Sequence, residues 1–446
     1  MSPKRAVVIL RHPAQYVVAA FVAASLIGGV LLRLPIASTS EGVPFITAWF
    51  TATSAVCVTG LNVVDTASQW SAFGETVILV LIQAGGLGIM TLSTLLVVVV
   101  SRRLGLRQRM IAATESSLDV GDVRRLLVAV VRFSFISEVV IAALLFLRFW
   151  ISHDEPVRRA LHLAVFHSIS AFNNAGFALW RDNLVGFQRD PVVLVVIALA
   201  IIVGGLGFPV WRQVARNPRR FKRWNLHAKI TVVTTAGLLL VGTAAFAWFE
   251  WTNEGTLGRL SVSDSLVNAF FHAVTPRTAG FNSLDITVLR EPTRLLTELL
   301  MFIGGGSAST AGGIKVTTFA VLGWVIWAEA RGDPEVVAFG RRLPAAVQRQ
   351  ALSVALLSIG LVVGATMWLL ATTPFSREDL EFEAISAFAT VGLSANLTPL
   401  LAAGPQLILI ALMLVGRVGP ITLFAALILR EQDRRYTHPE ERPIVG

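Results

Sequence analysis

The chain has 446 residues, 54% of them hydrophobic and only 15% charged, with a mean hydropathy of +0.68. A soluble domain carries about 25% charged residues, so the composition excludes a water-soluble globule and indicates an integral membrane protein. The formal charge of +10 does not imply nucleic acid, because the basic residues gather at the ends of alternate apolar runs. The single cysteine, Cys57, excludes an internal disulfide and any cysteine-based metal site.

Apolar runs of bilayer length, roughly 20 residues each, recur at Tyr16–Leu32, Thr76–Val100, Leu126–Phe149, Val192–Val210, Ile230–Phe249, Val354–Leu370 and Leu407–Leu429. The first is followed by no small-residue cleavage pattern and reads as a spanning helix rather than a removed signal peptide. Lys4, Arg5 and Arg11 precede it, and Arg102, Arg103, Arg107 and Arg109 follow the second run. Further basic groups lie between Arg212 and Lys229, at Arg341–Arg349 and at Arg430–Arg435, whereas Leu34–Gly74 contains no Lys or Arg. The positive-inside rule then predicts a multi-pass plasma-membrane protein with both termini and the basic loops in the cytoplasm.

Between the long runs lie shorter, half-polar segments, at about Pro44–Val56, Arg158–Phe172, Ser263–Val274 and Leu380–Ala389. Each leads into a glycine loop, reading AVCVTGL, AFNNAGF, TPRTAGF and AFATVGL in turn. Gly60, Gly176, Gly280 and Gly392 are thus spaced by about 110 residues, and Phe50, Phe166, Phe270 and Phe382 each stand ten residues before one of them. Ser54, Ser170 and Ser386 share a register that Val274 breaks. A Gly-rich patch follows in every unit, AGGLG at 84–88, VGGLG at 203–207, IGGGS at 303–307 and VGRVG at 415–419. The two GGLG copies lack a strand–turn–helix setting, so they are not dinucleotide loops; they read as small-residue patches for close helix packing.

Self-similarity at a fixed period indicates an internal repeat. The short segments cannot cross a bilayer of about 30 Å, and re-entrant backbone is tolerated only where protein or a water-filled cavity surrounds it. The expectation is therefore an all-α integral membrane fold of four helix–pore-helix–helix repeats. These span 1–110, 111–222, 223–340 and 341–446, the last including a cytoplasmic C-terminal tail. Eight transmembrane helices and four re-entrant pore helices would surround one central pore with pseudo-fourfold symmetry.

A dehydrated alkali cation needs several neutral oxygen ligands held weakly enough to release it, and rings of backbone carbonyls supply them. Aiming successive carbonyls at one axis requires some residues at positive φ, which glycine adopts with little strain. Gly60, Gly176, Gly280 and Gly392, with the preceding pairs Val58 and Thr59, Asn174 and Ala175, Thr278 and Ala279, and Thr390 and Val391, are the candidate filter residues. Short helices pointing their C-terminal ends at the axis would add a favourable dipole for the cation.

The loops, the four-unit plan and the GGGSASTAGGIK stretch at 304–315 resemble the Trk/Ktr/HKT superfamily of K⁺ transporters, and within it the KtrB-type membrane subunit of bacterial Ktr systems. The resemblance covers nearly the whole chain, without the extra N-terminal helices of TrkH-type relatives. It implies K⁺ selectivity, since relatives with Ser at the first filter position tend to pass Na⁺ and all four positions here are Gly. It also implies a homodimer in which each chain forms its own pore. A cytosolic KtrA-type regulatory ring, which would carry the nucleotide, would dock on the basic inner face. No cofactor belongs to this chain, and the only metal expected is the transported K⁺ at the filter.

Two gates are expected. The run Gly304, Gly305, Gly306, Ser307, Ala308, Ser309, Thr310, Ala311, Gly312 and Gly313, ending at Lys315, interrupts the second long helix of the third unit. Each interior glycine costs a helix about 1 kcal/mol relative to alanine, so a flexible break is expected, and the resemblance makes it an intramembrane loop below the filter. Arg417 is the other: an intramembrane arginine is costly and marks function by default, and it shares the register of Gly86, Gly205 and Gly305. It would stand as a positive barrier at the axis, the alternative being an ion pair, for instance with Glu138. His167 and His272, placed near the outer ends of their short segments, have no second ligand at metal-binding spacing. No Ser/His/Asp arrangement or Walker-type loop appears, which argues against an enzyme. The repeats all run the same way, unlike the inverted repeats of many organic-solute transporters. A Na⁺-preferring or K⁺/Na⁺-cotransporting member of the same family remains the alternative function.

Overall fold

The computed structural model describes residues 13–39, 42–103 and 120–419. Helix α1 covers Pro13–Leu32, and the short α2 covers Phe45–Val56. The long α3 runs over Ala72–Arg103 and α4 over Val120–Ser152, followed by the short α5 at Val157–Phe172. Next come α6 (Pro191–Leu206), α7 (Phe208–Arg216), α8 (Leu226–Glu250) and the short α9 (Val262–Val274). The remainder is α10 (Glu291–Phe302), α11 (Val316–Arg331), α12 (Ala345–Thr372), the short α13 (Arg377–Ala389) and α14 (Ala403–Val418). Among the described residues, five helices are long and apolar enough to cross a membrane.

The short helices start where local chemistry allows. Pro44 and Pro156 stand immediately before α2 and α5, the proline ring leaving no N–H to orphan. Ser261 and Ser376 cap α9 and α13, each hydroxyl accepting from the N–H of Asp264 or Asp379 and donating to the same carboxylate. At 1.5 Å per residue, 12 to 16 residues reach only about 18–24 Å. Their C-terminal halves are almost wholly buried.

Each short helix packs on the long helix before it, and each second long helix packs on the short helix of the next unit: α3 on α5, α6 on α9, α10 on α13. The series closes, since α14 packs on α2. Within a unit, the second long helix also packs on its own short helix, and in three units the glycine patch permits that approach. A β-carbon on Gly85, Gly204 or Gly416 would collide with the carbonyl oxygen of Val56, Phe172 or Phe388, at or near the ends of α2, α5 and α13.

Two spans differ from expectation. Val192–Val210 is not one helix: α6 and α7 meet at 94°. The cause is local, Gly207 at φ 86° followed two residues later by Pro209, which cannot donate into a continuing helix. Helix α14 ends at Val418 with Gly419 at φ 94°, and residues 420–429 of the expected run lie outside the described residues. The expected C-terminal tail and the basic groups at Lys4–Arg11, Arg107–Arg109 and Arg430–Arg435 lie outside the described residues. A small hairpin joins α11 to α12, β1 (Val337–Ala338) pairing antiparallel with β2 (Arg341–Arg342).

Candidate ion pathway

The four glycine loops adopt one conformation. Val58, Asn174, Thr278 and Thr390 have φ of 56°, 61°, 73° and 51°, and two residues later Gly60, Gly176, Gly280 and Gly392 have φ of 96°, 70°, 71° and 94°. The left-handed region disfavours a β-carbon, and an alternation of this kind turns successive carbonyls toward one side. The loops also meet one another in cyclic order. A β-carbon on Gly60 would lie 2.5 Å from Ala175 O and 3.1 Å from Gly176 Cα. One on Gly176 would lie 2.7 Å from Ala279 O and 3.0 Å from Gly280 Cα. Gly280 faces Val391 O and Gly392 in the same way, and Gly392 faces Thr59 O and Gly60, which closes the ring. All twelve of the residues singled out in these loops are therefore gathered at one centre, and every side chain among them is buried.

Side-chain hydroxyls hold the loops. Ser54 Oγ and Ser386 Oγ accept from the N–H groups of Gly60 and Gly392, at 3.0 and 3.1 Å. Ser170 Oγ donates instead to Phe177 O at 2.7 Å. In the third loop, Val274 holds that register, and the neighbouring Thr275 donates to Phe281 O at 2.5 Å. Thr275 was not legible as an equivalent, because it stands one position out of the register of the repeat.

Two further anchors were missed. His167, nine residues before Gly176, accepts from Leu179 N–H through Nε2 (3.1 Å) and donates from Nδ1 to Leu163 O (2.7 Å), so its ring is neutral. Glu383, nine residues before Gly392, is fully buried and accepts from the hydroxyls of Ser394 and Thr398. Both tie the chain just beyond the loop to the short helix beneath it. His167 and His272 lie in the C-terminal parts of α5 and α9. His272 stacks on Phe246 at 4.8 Å, and among the described residues neither of its ring nitrogens has a hydrogen-bond partner.

Residues 303–315 break the path between α10 and α11 as the glycine count implies. Gly304 N–H donates to Ile314 O (2.8 Å) and Val316 N–H to Gly305 O (3.0 Å), folding the segment back on itself. Its N–H groups also reach the end of α6, Gly306 donating to Gly205 O (2.8 Å) and Thr310 to Gly204 O (3.4 Å). The break at Gly207 leaves those terminal carbonyls without helical donors, so the segment docks on them. It lies directly against the second, third and fourth loops. Thr310 Oγ1 is 3.4 Å from Asn174 Oδ1, the Gly304 backbone faces the methyl of Thr278, and Gly312 faces the hydroxyl of Thr390. Ser307 pairs with Thr317 at 2.9 Å, while Ser309 caps a turn through Gly306 O and Ala311 N–H. Ala308 takes φ 58° and Gly313 the same value.

Arg417 is 4% exposed and makes no ion pair with Glu138. Its guanidinium donates to Thr310 O and, at 3.0 Å, to Gly85 O. Glu138 instead accepts from Gln83 at 3.0 Å and from Asn173 at 3.3 Å. Lys315 Nζ donates to Ala311 O and Gly312 O. Thus both cations hold backbone carbonyls of the 303–315 segment rather than carboxylates. On the opposite side of the glycine ring opens a cavity of about 410 Å³ lined by Gly60, Asn62, Asp182, Asn282, Gly392 and Ser394, among others.

Residues 4–437 match the TrkH family, described as cation transport proteins. The chain is 42% identical over 435 residues to Ktr system potassium uptake protein B of Bacillus subtilis, covering 96% of each. It is 40% identical to the Vibrio alginolyticus protein of the same name, over 96% of this chain and 93% of that one. It is 37% identical to the potassium/sodium uptake protein NtpJ of Enterococcus hirae, over 97% of each. The crystal structure of the potassium transporter TrkH from Vibrio parahaemolyticus superposes with a TM-score of 0.75 at 18% identity, covering 96% of this chain and 86% of that one. A multi-pass helical chain with this family match over nearly its full length belongs to the TrkH family of cation transport proteins, and is an ion transporter rather than an enzyme.

Proposed function

We propose that this chain is the K⁺-translocating membrane subunit of an uptake system in the plasma membrane, and that K⁺ crosses through the glycine ring. The observation that carries the reading is the closed cycle Gly60, Gly176, Gly280, Gly392, with positive φ repeated at the same two positions of every loop. In this reading the chain consists of four pseudo-fourfold repeats, 1–110, 111–222, 223–340 and 341–446, around one pore. The carbonyls of residues 58–60, 174–176, 278–280 and 390–392 replace the ion's water. The C-terminal ends of α2, α5, α9 and α13 converge below the ring and supply a negative potential. Residues 304–313 with Lys315 form an intramembrane gate, held shut by Arg417.

The wider arrangement follows the same logic. The 410 Å³ cavity faces outward, both termini face the cytoplasm, and the basic loops of the inner face receive a nucleotide-binding KtrA-type ring. The multi-component naming of the Ktr relatives supports that partner, and the subunit would work as a homodimer with one pore per chain. A Na⁺-preferring or K⁺/Na⁺-cotransporting function is the second reading. It is favoured by the chemical difference between the loops (Val58, Asn174, Thr278, Thr390) and by the name of the Enterococcus relative.

The deciding experiment is initial influx of radiolabelled rubidium into proteoliposomes, competed with K⁺ or Na⁺. Influx suppressed by K⁺ and barely by Na⁺ supports the first reading. Equal suppression supports the second, and no influx above protein-free vesicles overturns both.

A further inference from the structure

Arg277, in the third loop, is a buried cation to which the mechanism so far gives no task. It is 7% exposed, and among the described residues no carboxylate forms an ion pair with it. Its Nη2 donates to Thr235 Oγ1 on α8 and to Gly304 O, both at 3.3 Å. Gly304 lies just past the end of α10, at the root of the 303–315 segment. Among the described residues the Arg277 Nε has no partner. With Asn174, Thr235 and Gly305, Arg277 lines a cavity of about 10 Å³, close to what one water needs.

The equivalent positions of the other loops carry Cys57, Asn173 and Ala389. Cys57 and Ala389 are small, and Asn173 turns to Gln83 and Glu138, away from the segment. A loop-to-segment cation is therefore peculiar to the third loop. The residue after Arg277 leans on the same place, since a β-carbon at Gly304 would meet the Thr278 methyl at 3.2 Å. Arg277 and Thr278 thus bear together on one backbone unit of the segment.

We propose that Arg277 is a positioning residue that couples the third filter loop to the root of the gating segment, so that opening the segment and loosening Thr278–Gly280 are a single event. The proposal rests on reading these elements as filter and gate. Its physical basis is the cost of an unpaired buried charge. When Gly304 moves away, the guanidinium loses one of two acceptors and must draw on its own loop or on water to replace it. The left-handed backbone at Thr278 and Gly280 has little slack, so the loop follows.

The test uses the full chain in proteoliposomes and reads both basal rubidium influx and the K⁺-over-Na⁺ preference. Variants are R277Q, R417A and their combination. Coupling predicts that R277Q raises influx and lowers the preference together, several-fold. It also predicts that R277Q on the R417A background changes each readout by clearly less than on the wild type, as expected for residues sharing one element. Independent, multiplicative effects overturn the coupling, as does a change in influx with the preference unmoved. If R277Q fails to fold, T235V serves: it keeps the charge, removes one acceptor and should shift both readouts in the opposite sense to R277Q, because Arg277 then leans wholly on Gly304. No effect of T235V on either readout overturns the proposal equally. The underlying gate reading fails separately, if R417A alone leaves basal influx at the wild-type value.

Discussion

Arg417 of α14 and Thr310 of the 303–315 segment stand 107 residues apart in sequence and are joined guanidinium to carbonyl in the protein interior. The same side chain reaches Gly85 O on α3, so one arginine bridges three separate stretches of chain. Hydrogen bonds from charged groups contribute about 1.5–3 kcal/mol each, and each 1.4 kcal/mol is about tenfold in an equilibrium. R417A is expected to release the segment and raise basal rubidium influx by at least about tenfold by that conversion. R417K, which keeps the charge but not two divergent donors, should fall between. Wild-type influx in R417A would remove Arg417 from the gate.

Substitution at the ring glycines should act on selectivity before stability. At Gly280 a β-carbon would overlap Val391 O, and φ is 71°. Strain of this kind costs about 1–3 kcal/mol. G280A or G60S should lower K⁺-over-Na⁺ preference in competition assays while the protein still elutes as folded material in detergent. A β-carbon at Gly237, within α8, would meet no neighbour within 4 Å beyond the helix's own backbone. G237A should leave transport unchanged and stabilise the helix by about 0.5–1 kcal/mol.

Glu383 and His167 predict a stability effect localised to the second and fourth loops. E383A leaves the Ser394 hydroxyl without its acceptor and Thr398 with only Ser394 Oγ at 3.3 Å, at about 1–3 kcal/mol for an unsatisfied group. H167A removes the acceptor of Leu179 N–H and the ring stacked 4.0 Å from Trp180. Both should lower the unfolding temperature in detergent, E383A more. Unchanged melting for E383A would mean that the hydroxyls find other partners.

Acid should weaken one junction in a defined direction. Asp190, at the start of α6, is a carboxyl that burial alone would raise. Hydrogen bonds from Arg148, His153 and Val193 N–H outweigh that and hold it below the ordinary value. A depressed folded-state value means that its contribution is complete above the unfolded carboxylate value of about 3.9 and is lost as pH falls below it. Thermal melts of wild type should therefore drop between neutral and strongly acidic pH more than those of D190N, which starts lower. Parallel curves would exclude the linkage.

The short helices and loops were legible because their signal is carried by composition repeated at fixed spacing. The four glycines stand out even in one sequence, and the boundaries of α2 and α5 fall within a residue of those expected. The 94° bend at Gly207 was hidden because VGGLG at 203–207 differs from AGGLG at 84–88 only in its first residue, while α3 runs straight through its copy. What differs is Pro209, and the segment from another unit that occupies the space beside Gly207. Arg277, Thr275 and Glu383 were likewise hidden. Their meaning lies in what they touch, and sequence periodicity marks what the repeats share rather than where they depart from one another.

Because the four glycines belong to one covalent chain, no symmetry operator copies a change from one quadrant to the next. Val58, Asn174, Thr278 and Thr390 have diverged into an aliphatic, an amide and two alcohols while keeping the same left-handed turn. A homotetramer alters its conduit four sides at a time. This architecture can be retuned a quarter at a time, so small evolutionary steps in ion preference remain open to it.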